Sequence, residues 1–332
     1  MRKTKWLVMA ILILTIAYLG GPRPAGPEYS PEMPHVPGSA HQLEDYVSRR
    51  EARHKIKPDN QARIIWANDS IKNRTSYSMV YLHGFGASQA EGEPVHRELA
   101  KKFNCNLFLS RLADHGIDTS EAMVNLTVDR YWESAKEALA IGQQLGDTVI
   151  LIGCSTGASL ALKLAAEHPE IKALILYSPN IAINDPNAWL ANNPWGLQIA
   201  RLVLGSKYVV SKKDTRDIYR QYWYDRYRLE AVVALEEFLE TAMTKQTFQK
   251  VKQPTLMLYY YKDEVHQDST VKVSAMKEMF EELGTPSHLK RAIAMPNAGD
   301  HVISSYIRSR DVEGVIRESE KFLSEVIGLS AN

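Results

Sequence analysis

The sequence predicts an α/β fold: a mostly parallel sheet covered by helices on both faces and interrupted by a helical insertion. Three observations carry that expectation. Strand-like and helix-like runs alternate from residue 78 to residue 179. The strand-like runs are continuously apolar, as in TVILIG and ALILY, which is how strands buried on both faces read. The alternation stops over residues 180–249, where helical stretches rich in Trp, Tyr and Arg replace it, and resumes at residue 254.

Taken in order, HQLEDYVSRREARHK (41–55) has sparse apolar positions and suits a short surface helix, and ARIIWAND from residue 62 reads as a strand. SMVYLHG (78–84) is a buried strand ending in glycine, EPVHRELAKKF has helical spacing, and NLFLSRL (106–112) is strand-like. LTVDRYWESAKEALAIGQQLG is an amphipathic helix closed by Gly146, followed by the apolar strand TVILIG and the helix SLALKLAAEH. IKALILYSP is a further buried strand. Beyond the insertion come the strand PTLMLYYYKDE, a helix over 269–283, the strand HLKRAIAM and the terminal helix DVEGVIRESEKFLSEVIG.

Composition narrows the class. The chain has 332 residues, 45% hydrophobic and 24% charged, as a globular protein has. Forty basic against 39 acidic residues give a formal charge of +1, and nothing in that balance suggests a nucleic-acid partner. The two cysteines, Cys105 and Cys154, cannot form a disulfide framework. MRKTK followed by WLVMAILILTIAYLGG reads as a signal anchor or a secretory signal over residues 1–21. Residues 6–21 would span roughly 24 Å as a helix. GGPRPAGPEYSPEMPHVPGS then reads as an extended proline-rich linker (22–40) that holds the catalytic part, 41–179 with 250–332, away from a membrane. The expectation is a membrane-anchored protein with its catalytic part outside the cytoplasm, periplasmic or extracellular, or secreted if the segment is cleaved.

The chemistry centres on GCSTG (153–157). A five-residue G-x-S-x-G match is weak alone, but here TVILI precedes it and ASLALKLAA follows. A sharp strand-to-helix turn would lift the Ser155 hydroxyl above the sheet edge, with Gly153 and Gly157 allowing the close approach. The competing reading is a serine that caps the following helix. Upstream, YLHGFGAS ends a strand in His83-Gly84 and turns through Phe85. The backbone N–H groups of Phe85 and Thr156 are the expected oxyanion donors. His83 either acts as a base or shapes that loop.

A serine nucleophile needs a base, and the base an orienting acid. His96 lies in a charged stretch that reads as surface, and His168 ends a helix, whereas His301 follows the last predicted strand in MPNAGDHVI. Of the candidate acids, Asp263 comes first after the apolar run of LMLYYYKDEVHQDS, so it is the expected partner. Asp268 reads as the cap of the 269–283 helix, and Asp300 is a further alternative. A metal reading of Asp263, His266 and Asp268 is weak, because one histidine beside scattered carboxylates is a poor ligand set. No cofactor is expected.

With GCSTG, the HGFG turn, KDEV and GDHV in this order, the chain resembles the α/β-hydrolase superfamily over about residues 60–328. HGFGASQAEGEPVHRELAKKFNCNLFLSRLADHG, with its R-x-x-x-HG loop from Arg111 to Gly116, is similar to bacterial carboxylesterases and monoacylglycerol lipases. The resemblance implies ester hydrolysis by Ser155, Asp263 and His301 under a helical cap. It departs from the family at Cys154 before the nucleophile, at the tyrosines before the acid, and in GDH where SGH is commoner. These departures bear on substrate more than on chemistry.

Within 180–249, Trp195, Tyr222 and Trp223 are candidates for an acyl pocket. Arg216, Arg220, Arg226 and Arg228 either meet an acidic group of substrate or form a solvated basic face. The expected partner is a small ester or lipid, besides the membrane at the N-terminus. Thioesters and amides are open to the same machinery, and a non-catalytic, membrane-tethered lipid-binding protein on this fold is the remaining reading.

Overall fold

The computed structural model describes residues 2–211 and 214–331. Its strands are β1 (Arg63–Ile65), β2 (Thr75–Leu82), β3 (Asn106–Leu109), β4 (Gly146–Cys154), β5 (Ala173–Tyr177), β6 (Tyr208–Val210), β7 (Arg226–Arg228), β8 (Thr255–Tyr259) and β9 (Lys290–Ala294). Seven of them form one sheet in the order β1-β3-β2-β4-β5-β8-β9. Every neighbouring pair is parallel except β1 with β3.

The helices are α1 (Arg2–Leu19), α2 (Ala40–Glu51), α3 (Val95–Lys102), α4 (Val128–Leu145), α5 (Thr156–Glu167), α6 (Gly196–Leu204), α7 (Asp217–Tyr222), α8 (Leu229–Ala242), α9 (Lys245–Lys250), α10 (Val273–Glu282) and α11 (Val312–Glu325). Strand β4 shows why the apolar runs are continuous. Val149 and Leu151 pack with residues of α4, α5, α8 and α10, while Ile150, Ile152 and Cys154 pack on the opposite face with residues of α3 and α11. Both faces are core, so neither set of alternate residues can be polar.

The register aligns the carboxyl ends of the strands. Leu82 pairs with Gly153, Cys154 with Tyr177, Leu258 with Tyr177, and Tyr259 with Ala294. The segments that leave these ends therefore meet along one edge, where open α/β sheets hold their ligands.

The insertion is not wholly helical. Strands β6 and β7 pair as a separate antiparallel ribbon, Tyr208 opposite Arg228 and Val210 opposite Arg226. The sequence hid it because each strand is only three residues long and is built from Tyr, Val and Arg, with no alternating pattern to read. The arginines of this region are partnered within the chain. Arg228 pairs with Glu121 and Glu230, Arg216 with Asp214, Arg220 with Asp225, and Arg226 stacks 3.6 Å over Tyr208, while Arg216, Arg220 and Arg226 stay exposed. That favours the solvated basic face over a site for an acidic group of substrate.

The N-terminal expectations need correction. Helix α1 contains Arg2, Lys3 and Lys5, so its uncharged part, Trp6 to Leu19, is 14 residues. At ~1.5 Å per residue it reaches about 21 Å, short of a hydrocarbon core of about 30 Å. Gly20, Gly21 and Pro22 then end it. Among the described residues no helix is long and apolar enough to cross a membrane. This overturns the spanning anchor and the placement outside the cytoplasm that rested on it.

The proline-rich segment is likewise no spacer. It lies along the domain as a strap, with Trp132 Nε1 donating to the Ser30 carbonyl and the buried Lys136 ammonium donating to the carbonyls of Ser30 and Glu32. Tyr29 OH bonds Thr241 Oγ1 at 2.6 Å. An extended proline-rich chain leaves its carbonyls free, and a buried ammonium needs acceptors.

The tightest packing is where α5 leaves β4. A methyl group at Gly157 would stand 2.0 Å from the Leu82 carbonyl oxygen and 2.6 Å from that of His83, and one at Gly153 would stand 2.6 Å from Ala158 Cα. These neighbours are backbone and cannot step aside. Gly157→Ala is expected to cost about 2–3 kcal/mol, the upper range for overpacking. Gly26→Ala, with nothing within 4 Å, should leave the melting temperature unchanged. Thermal unfolding of the two variants checks the contrast.

Candidate active site

Ser155 occupies the turn between β4 and α5 with φ 53° and ψ −122°. A non-glycine residue in this region carries strain, of order 1–3 kcal/mol, that the surroundings must hold. They hold it at both ends. The Ser155 amide donates to the Tyr177 carbonyl at 2.9 Å, and its own carbonyl accepts from Asn180 N at 3.1 Å. Ser159 Oγ completes the clamp by donating to the Asn180 carbonyl at 2.5 Å. The side chain makes no capping bond to the helix, which removes the reading of Ser155 as a helix cap. Thr156 is the first helical residue, so its amide has no intrahelical acceptor and stands free at the positive end of α5.

The turn after β2 brings Phe85 to the same edge. His83 is fully buried and serves this turn. Its Nε2 accepts from Leu112 N at 3.0 Å, and its Nδ1 lies 2.9 Å from the Gly84 carbonyl. Burial, then the neighbouring His115, push its pKa well below the usual imidazole value. A ring with both nitrogens so engaged shapes the loop and is not placed as a base. The insertion braces the turn from above, with Tyr224 N donating to the Gly86 carbonyl at 2.8 Å.

His301 sits in the loop after β9, largely buried, with Nδ1 2.5 Å from Asp268 Oδ2. The expected partner Asp263 is elsewhere. It lies half-exposed, and its Oδ1 accepts from Val265 N, from His266 N and, at 2.9 Å, from the His266 ring. The reason is local. After β8 the chain makes an excursion over 261–267, closed by Lys262 N on the His266 carbonyl and by a bridge between Tyr261 and Gln267. Asp268 N then bonds the Tyr260 carbonyl at 3.1 Å, so Asp268 emerges where the strand left off. Asp263 is at the tip of the detour.

Asp268 is buried, and its two oxygens divide the work. Oδ1 accepts from Thr270 N and Val271 N, while Oδ2 faces His301. It does not cap a helix, since α10 begins at Val273 after an uncapped Lys272. Asp300, the other alternative, is held by Arg308 at 2.5 Å. Because Asp263 pairs with His266 and Asp268 with His301, the three residues of the metal reading do not converge.

Of the pocket candidates, Tyr222 and Trp223 pack with Ala87 and Ala90 of the segment after β2 and with Val302 beside His301. Trp223 stacks on Tyr219 with ring centroids 5.0 Å apart, and Phe85 meets the Tyr227 ring edge-on at 5.3 Å. Trp195 belongs to another place. It is exposed, and its N and Nε1 donate to the carbonyls of Pro22 and Ala17. His96, read as a surface residue, is fully buried against Tyr81 and bonds the Gln89 carbonyl. Glu98, Lys101 and Lys102 of α3 point outward, and the helical period turns His96 inward.

Burial lowers the His301 pKa, but the charge of Asp268 and its hydrogen bond outweigh this and leave it raised. An imidazole held through Nδ1 by a carboxylate keeps Nε2 free to take a proton, as base catalysis of acyl transfer requires.

Residues 78–295 match the model of the serine aminopeptidase S33 hydrolases. The chain belongs to that family. Its fold is the α/β-hydrolase fold, shared with a metagenome-derived lipolytic enzyme of the LipS and LipT pair at TM-score 0.64, 16% identity, 81% of this chain and 99% of that one. Est1E from Butyrivibrio proteoclasticus, with ferulic acid bound, matches at TM-score 0.53 and 16% identity over 81% and 95% of the two chains. The monoacylglycerol lipase of Paleococcus ferrophilus matches at TM-score 0.53 and 15% identity over 77% and 98%. At these identities the likeness is one of fold. No curated protein matches the sequence significantly.

The Asp268–His301 pair has a direct signature. In proton NMR the Nδ1 proton of His301 should appear far downfield. Asp268→Asn is expected to remove that resonance and Asp263→Asn to leave it in place, and the reverse result would restore Asp263 as the partner.

Proposed function

We propose that this protein hydrolyses carboxylic esters through an acyl-enzyme on Ser155, with His301 as base and then acid, and Asp268 as the orienting carboxylate. The observation that carries the reading is the strained Ser155 turn, φ 53° and ψ −122°, at the mouth of α5. Strain of this kind is retained where the surroundings over-determine it and where chemistry uses it. The lipolytic and ferulate-binding enzymes of the same fold support an ester as substrate.

In the first step Nε2 of His301 takes the hydroxyl proton of Ser155 while Oγ attacks the ester carbonyl carbon. The amides of Phe85 and Thr156 receive the negative charge that builds on the carbonyl oxygen. Collapse expels the alcohol, which leaves with the proton from His301. Water, deprotonated by the same ring, then attacks the acyl-enzyme and releases the acid and free Ser155. Asp268 holds the ring in the tautomer that leaves Nε2 unprotonated, and stabilises the imidazolium in between. Residues 180–249 act as a cap, with Tyr222 and Trp223 lining the acyl side near the oxyanion turn.

The tests separate the parts. Ser155→Ala is expected to abolish hydrolysis of a p-nitrophenyl ester and labelling by a fluorophosphonate. Asp268→Asn should lower kcat by about 10⁴-fold, as loss of the tautomer-setting acid does, while Asp263→Asn stays within about twofold of wild type, the margin of a surface change. His301 works as a base only when neutral, and its pKa is raised. The rate kcat/KM should therefore fall with acidity through a value above about 6.5. A wild-type rate in Ser155→Ala overturns the proposal, and faster cleavage of matched amides or thioesters than of esters transfers it to those substrates.

A further inference from the structure

Glu91 is a carboxyl group that the acyl-transfer scheme leaves unused, although it lies inside the site. It sits in the turn Gln89–Gly92 and is 2% exposed. Its Oε2 accepts from the Gly84 amide at 2.5 Å and, at 3.4 Å, from Tyr81 OH. A methyl group built on Gly84 would lie 2.7 Å from Glu91 Oε1 and 2.9 Å from Ser155 Cβ, so the carboxyl and the nucleophile flank the same small gap. The backbone of this turn is tied to the histidine loop as well. Ser304 Oγ donates to the Glu91 carbonyl, Ser305 Oγ to that of Ala90, and Tyr306 N to that of Glu93.

Gly84 immediately precedes Phe85, whose amide is the proposed oxyanion donor. The Gly84 N–H lies in the peptide plane before the one that carries the Phe85 N–H, so its acceptor anchors the Gly84 hinge from which the Phe85 N–H is aimed. No backbone acceptor is supplied there by the sheet, because β2 ends at Leu82. The carboxyl is the only described partner of that amide.

We propose that Glu91 is a positioning residue of this site: it orients the oxyanion turn through the Gly84 amide and sets a second carboxylate, besides Asp268, toward His301. The inference rests on the acyl-transfer reading above. Burial pushes the Glu91 carboxyl up to about 7, while the Gly84 amide and His301 work against that shift. The titratable groups around it are Tyr81 on β2, the Cys154 thiol at the end of β4, Tyr131 on α4, Tyr219 on α7, and His301 with its neighbour Asp300. Burial holds the phenols and the thiol neutral, so His301 is the partner whose titration Glu91 feels. An ionised Glu91 raises the His301 pKa, and a neutral one releases it.

Glu91→Gln keeps the volume and an amide oxygen for Gly84 but removes the charge, whereas Glu91→Asp keeps the charge and withdraws it from Gly84. Both are compared with wild type in the full chain, by kcat and KM for a p-nitrophenyl ester across about pH 5 to 9, a range that spans the His301 titration. Ser155→Ala serves as the reference that decides the acyl-transfer reading by itself. In Glu91→Asp, which leaves the Gly84 amide without its acceptor, kcat is expected to fall about 10- to 100-fold, as a misaimed donor does, with the acid limb of the wild type. In Glu91→Gln, which keeps an acceptor there, kcat and KM should change little while the acid limb of kcat/KM moves to lower pH. Glu91→Asp carries the test if circular dichroism shows Glu91→Gln unfolded. A limb in Glu91→Gln unmoved from that of the wild type, a change in KM alone, or a wild-type kcat in Glu91→Asp overturns the proposal.

Discussion

The approach of helix α5 to the end of strand β2 is the constraint on which the site depends. With Gly157 against the carbonyls of Leu82 and His83, the helix begins closer to the sheet than any side chain would permit. That closeness forces the Ser155 turn into left-handed backbone, and the bonds to Tyr177 and Asn180 keep it there. It also sets the free amide of Thr156 beside the loop that leaves β2. One packing contact thus fixes Ser155, the proposed nucleophile, and the two stretches of backbone that on that proposal face a substrate carbonyl.

Most of this was legible in the residues because its causes are local. GCSTG between an apolar strand and a helix implies the turn, and a glycine after His83 implies the loop. His301 stood out because it follows the last strand. The carboxylate partner of His301 was not legible. Asp263 and Asp268 are five residues apart behind the same strand, and position along the chain favours the first. What decides between them is the Tyr261–Gln267 bridge and the bond of Asp268 N to Tyr260, which make residues 261–267 a detour. Nothing in YYYKDEVHQDS distinguishes a strand that ends from one that pauses.

The N-terminus illustrates a second limit. A run of prolines looks the same whether it is solvated or docked, since proline fixes the chain extended in either case. The docking is written in distant residues, Trp132 and Lys136 of α4, whose N–H groups need the carbonyls that the strap presents. Likewise the insertion's arginines read in sequence either as a binding face or as a solvated basic face, and Glu121, Asp214 and Glu230 claim Arg216 and Arg228. Composition counts charges without revealing which are already spent on one another.

The hydrogen bond from Tyr224 N to the Gly86 carbonyl ties the insertion to the loop that bears Phe85. An insertion anchored in this way cannot swing aside as an independent door. On the acyl-transfer proposal, lifting it to admit a bulky ester would loosen the backbone proposed to stabilise the reacting oxygen, so entry and readiness would compete. Substrates that reach Ser155 without displacing residues 222–224 would then meet a site already armed, and those that must pry them loose would meet one that has to be reassembled around them, which would make a single backbone contact a filter on shape.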